Sequence, residues 1–156
     1  EAFASVANVF GIIISATVFG LYLTYAQIPQ KLTSLILGMD VGPIGFLLLV
    51  NVMLLIMGML IDSAAVLLIA VPLLYPVAMQ LGIDPIHFGI VCILNLSIGA
   101  LTPPFGATMY QCCNLCEIEM PEFLKQGKEL IAALLIALLV VTFVPGIATL
   151  LPAIMK

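Results

Sequence analysis

Arginine is absent from this chain, and lysine occurs only as Lys31, Lys125, Lys128 and Lys156. Without a guanidinium there is no forked clamp for a carboxylate or phosphate, so any anionic substrate must be held by other groups. Charged residues amount to 8% of the chain, against roughly 25% in soluble domains, and the net charge of −4 contains no basic patch. That argues against nucleic acid as a partner and against a polybasic lipid-anchoring segment. No His-Glu metal motif and no nucleophile elbow occurs, so an enzyme is not expected. The "CCNLC" run over Cys112, Cys113 and Cys116 lacks the second ligand pair that a zinc site needs. With Cys92, these thiols are read as small hydrophobes, and neither a cofactor nor a metal other than sodium is expected.

Apolar residues, by contrast, make up 64% of the chain, where roughly 45–50% is usual. This composition predicts an all-α polytopic membrane protein, with its charges confined to junctions between apolar runs. Asp62 is the exception. The chain opens at Glu1, and its first run has neither the basic flank nor the cleavage site of a signal peptide, so one segment of a longer chain is expected. Residues 1–27 are long enough for a transmembrane helix, and 28–42, after Pro29, suit an interfacial helix and loop. Residues 119–156 read as a C-terminal transmembrane helix, kinked near Pro145 and Gly146.

Residues 43–81 allow two readings. Two complete spans would need a turn at the far surface, yet "MGMLIDS" (57–63) offers no lysine and almost no polar loop. A re-entrant hairpin with Gly58, Asp62 and Ser63 at a protein-buried tip fits better, because irregular backbone is tolerated at membrane depth only inside protein. Length alone does not decide between them.

Residues 82–118 begin with a helix start, "GIDPIHF": Asp84 can cap, Pro85 suits the first helical position, and Ile83 can staple against Phe88. One straight helix from there to Cys116 would be roughly 48 Å long, beyond the hydrocarbon core. Pro103 and Pro104 fall near its middle and lack the amide hydrogens that would bond the carbonyls of Gly99 and Ala100. A broken helix is therefore predicted. The freed carbonyls of Gly99 and Ala100, the Thr102 hydroxyl and the Asn95 amide oxygen are neutral hard oxygens that suit sodium. The amides of Phe105, Gly106 and Ala107, at the start of a second half-helix, favour an anion. Bland readings stand beside these. A Pro-Pro kink can be purely structural and Asp62 can simply bond the hairpin tip. His87 reads as structural, Asn51 and Asn95 can be interhelical glue, and Met53, Met57 and Met59 read as packing.

Gly58 and Asp62 as Gly-x-x-x-Asp, Pro72 and Pro76, "GIDPIHFG" (82–89) and "IGALTPPFG" (98–106) together resemble the C-terminal part of the large membrane subunit of tripartite ATP-independent periplasmic (TRAP) transporters. The resemblance implies one inverted repeat of an elevator-type transporter, with 43–81 and 82–118 in the transport domain. It further implies a bacterial inner-membrane importer, coupled to Na+, of organic acids of the C4-dicarboxylate or sialic acid type. Sodium ligands would come from Gly58, Asp62, Ser63, Asn95, Gly99, Ala100 and Thr102, and substrate contacts from Thr102, Pro103, Pro104, Phe105 and Gly106. The implied partners, besides the lipid bilayer, are the remainder of the large subunit, a small four-helix membrane subunit and a periplasmic substrate-binding protein. Residues 117–129 would face the cytoplasm. Two alternatives remain at this stage: a sodium–dicarboxylate symporter that needs no binding protein, and a non-transporting membrane scaffold.

Overall fold

A computed structural model describes residues 42–61, 63–103 and 106–154, with scattered positions between 10 and 38. Among the described residues all regular structure is helical, as an all-α membrane protein requires. Most of 1–27 and 28–42, with Asp62, Pro104 and Phe105, lie outside the described residues. Six helices follow in order: α1 (Pro43–Leu60), α2 (Ser63–Gln80), α3 (Pro85–Leu101), α4 (Ala107–Cys116), α5 (Met120–Phe143) and α6 (Pro145–Ile154). Of these, α1, α2 and α5 are long and apolar enough to cross a membrane.

Side-chain pairs fix the directions. Phe88, at the start of α3, has its ring centroid 6.5 Å from Phe46 near the start of α1 and 6.5 Å from Tyr75 near the end of α2. At the other end, Ser63 at the start of α2 bonds the Leu96 carbonyl, while Gly58 near the end of α1 lies against Gly99. Helices α1 and α3 therefore run the same way with α2 reversed, which sets the α1–α2 turn level with the end of α3. Asn51 and His87 both reach the last turns of α5, so α5 returns antiparallel to α3.

Local chemistry explains the punctuation. Gly82, at φ +73°, closes α2 with a left-handed residue while Ile83 N–H bonds the Ala78 carbonyl, a cap that glycine adopts without Cβ strain. Two residues on, Asp84 Oδ1 accepts the Ile86 and His87 amides at 2.8 and 3.2 Å, and Pro85 opens α3 where no amide is needed. α3 is the central element, with nine of its 17 residues buried against α1, α2 and α5. α5 ends at Phe143, and Pro145 starts α6 after one intervening residue, Val144.

Candidate functional site at the break between two helices

α3 stops where its hydrogen-bond ladder runs out of donors. Pro103 has no amide hydrogen, so the Gly99 carbonyl accepts the Thr102 N–H instead, at 3.0 Å, and Thr102 leaves the helix at φ −108°, ψ 138°. Gly99 is thus partnered, with one lone pair to spare. The Thr102 hydroxyl donates to the Ile98 carbonyl at 2.6 Å, which fixes its proton inward and leaves its lone pairs for another group.

The chain returns at Gly106, which is buried and precedes α4. A Cβ there would lie 2.9 Å from both the Ala100 and the Thr102 carbonyl oxygens. Two backbone oxygens therefore converge on one point, and glycine keeps it clear. Pro103 is half-buried beside them.

The hairpin end of α1 and α2 meets this region through small residues. A Cβ on Gly99 would stand 2.9 Å from the Gly58 Cα and carbonyl carbon and 3.2 Å from the Met59 nitrogen, so the two backbones touch. Ser63 Oγ donates to the Leu96 carbonyl at 3.2 Å. Gly58, Ser63 and Gly99 are thereby gathered at one level, with Ala100, Thr102 and Gly106 directly after. Asn95 lies one turn back, where its Nδ2 donates to both the backbone and side-chain oxygens of Asn51, each at 2.9 Å. Its own Oδ1 is buried with no partner. Asn51 in turn donates to Thr142 Oγ1 at 2.8 Å, and Thr142 donates to the Leu138 carbonyl. His87 Nε2 lies 2.8 Å from the Val141 carbonyl, a contact that ties the start of α3 to the end of α5. All four cysteines are free thiols.

Two contributions escaped sequence reasoning. Thr142 carries nothing in its surroundings to mark it, since its partner lies 91 residues away. The convergence of the Ala100 and Thr102 carbonyls on Gly106 had a weak signal: a glycine two residues past a proline pair.

Residues 1–147 match the family described as "Tripartite ATP-independent periplasmic transporter, DctM component". The chain belongs to this TRAP transporter family. Its relatives include the C4-dicarboxylate TRAP transporter large permease protein of Vibrio cholerae, 36% identical over 92% of this chain and 32% of that protein. The sialic acid TRAP transporter large permease protein of the same organism is 41% identical over 90% of this chain and 33% of that protein. An isethionate TRAP transporter permease protein of Oleidesulfovibrio alaskensis is 35% identical over 94% of this chain and 23% of that protein. The chain thus spans a quarter to a third of the curated TRAP permeases it matches. As a TRAP permease segment with helices long and apolar enough to cross a membrane, it is an inner-membrane protein.

Proposed function

We propose that the chain supplies the second hairpin and broken helix of a sodium-coupled importer of organic acid anions that works as an elevator. Family membership supports transport fed by a periplasmic binding protein over a symporter without one, and over an inert scaffold. In this reading a sodium ion sits at the break, held by the Ala100 and Thr102 carbonyls, the Thr102 hydroxyl and the spare lone pair of Gly99. Gly58, Asp62, Ser63 and Asn95 close around it from the hairpin and from the turn below. The anion lies beyond Thr102, Pro103 and Pro104, against the amides of Phe105 and Gly106 at the start of α4, where orphan N–H groups favour negative charge. The relatives named for C4-dicarboxylate and sialic acid take carboxylates and the one named for isethionate a sulfonate, so the shared cargo chemistry is a small organic anion. Neutral amides fit a segment that has no arginine.

The observation that carries this reading is the pair of carbonyl oxygens converging on Gly106. Half a site cannot transport, so the function belongs to the assembly with the remaining large subunit, the small four-helix subunit and the binding protein. The test is uptake by the reconstituted complete transporter carrying Pro103→Ala and Pro104→Ala, with its melting temperature taken with and without sodium. A continuous helix then becomes locally favourable by several kcal/mol, on the order of 3 per proline. Uptake and the sodium-induced shift should both fall while stability holds; wild-type values for both would sink the proposal.

A further inference from the structure

α4 has a polar face that the reading above does not use. Met109 and Cys113, one turn apart, are buried. Gln111 lies on the opposite side of the helix with Tyr110 and Asn114 on the flank beside it, and all three are exposed, Tyr110 by 54%. Among the described residues none of these three side chains has a hydrogen-bond partner. α4 starts at the break and ends at the turn of Glu117, so this stripe lies between the mid-membrane site and the surface. Amide and phenol groups without partners are not left facing hydrocarbon, because each would lose its hydrogen bonds to water with nothing in return. A hollow of about 140 Å³ lined by Tyr110, Cys113, Asn114, Ile118 and Met120 continues the stripe to the loop. Beyond it, Glu117, Glu119 and Glu122 precede Lys125, the first lysine on that face, so the rim carries excess negative charge.

We propose that Tyr110, Gln111 and Asn114 line a water-filled passage through which a small cation travels between the break and the face carrying residues 117–122. The inference rests on the reading of the break as an ion site. Neutral side-chain oxygens along the wall replace water around a cation, and the acidic rim concentrates cations at the mouth.

The test uses the complete transporter with its native cysteines replaced and with Gln111→Cys or Asn114→Cys introduced, each checked for folded, assembled protein by size-exclusion chromatography. Thiol labelling is measured from either face with a cationic and an anionic impermeant methanethiosulfonate, with Ile136→Cys on the exposed face of α5 as a lipid-facing control. Both stripe positions should label only from the face carrying 117–122, and the cationic reagent should react about tenfold faster or more. Labelling by a membrane-permeant apolar reagent alone would mean the stripe faces lipid. Labelling by none would mean the rest of the large subunit covers it. Equal rates for the two charges would remove the cation preference. Each of these overturns the proposal. Hydroxyl-radical footprinting of the unaltered transporter gives a second measurement: Tyr110 should be oxidised far faster than buried Met109, and equal protection overturns the proposal. Failure here would leave sodium-dependent uptake intact, whereas sodium-independent uptake would overturn the reading of the break itself.

Discussion

Adding a single methyl group to Gly99 should test the geometry of the site more sharply than removing any side chain. Its Cβ would stand 2.9 Å from two backbone carbons of Gly58, where carbon atoms ordinarily rest about 3.5–4.0 Å apart. The obstacle is backbone, so α1 and α3 must separate by roughly half an ångström or more, an overpacking cost of about 1–3 kcal/mol. Against this, alanine in a helix interior gains about 0.5–1 kcal/mol over glycine. The net expectation for Gly99→Ala is a loss of up to about 2.5 kcal/mol. Gly58→Ala meets its nearest atoms at 3.4 Å, an ordinary contact, and should be neutral or slightly stabilising. The two variants add a methyl at the same contact pair yet are expected to differ by about 1–3 kcal/mol, the overpacking cost that Gly99→Ala alone meets. Thermal unfolding of the purified complete transporter measures this. A titration of its sodium-induced stabilisation should show weaker apparent affinity for Gly99→Ala, because the displaced helix carries Ala100 and Thr102. Equal melting temperatures, or Gly58→Ala the worse of the two, would refute the assignment of which backbone is in the way.

Other perturbations address the surrounding frame. Thr142→Val leaves Asn51 Nδ2 without its acceptor and should cost about 1 kcal/mol, read as a lowered melting temperature, whereas Asn95→Asp sets a carboxylate against two oxygens of Asn51 and should cost several kcal/mol, read as loss of folded yield. Asp84→Ala removes the α3 cap and should lower stability by about 1 kcal/mol, while Asp84→Asn should retain it; equal loss in both would discount the cap. A cysteine at Ile61 should resist impermeant thiol reagents from both sides of the membrane, and fast labelling from the face carrying 117–129 would instead indicate two full spans.

What could be read from the sequence was whatever chemistry is local. The start of α3 is spelled by Asp84, Pro85 and the preceding Gly82, all within one turn of the hydrogen bonds they make. The end of α3 follows from Pro103 alone, since a missing donor is a property of that residue. Asn51 and Asn95 were readable as helix-to-helix contacts, because a buried amide in an apolar run needs a partner. The partner's identity was not readable: Asn51 and Asn95 are 44 residues apart, and which helices become neighbours depends on topology. The same limit hid the touch between Gly58 and Gly99, where the sequence displays two glycines and nothing to pair them. The Gly99 carbonyl, expected to be free, holds the Thr102 amide because a three-residue closing turn was available.

The ties between helices are spread unevenly along their length. Near the break, the described contacts of α1 and α2 with α3 include close backbone approach at Gly58 and Gly99 and a 3.2 Å hydrogen bond from Ser63. Asn95, about 6 Å further down α3, begins a belt of shorter bonds that runs through Asn51 to Thr142 and α5. Such a bundle behaves like a pair of tweezers clamped below its points. Prising the points apart forfeits short-range attraction that fades smoothly with distance, whereas shearing the clamp would strand several buried polar groups at once. On these described contacts, separation at the hairpin end would uncover the break at the smaller cost, while separation at the belt would dismantle the helices carrying it.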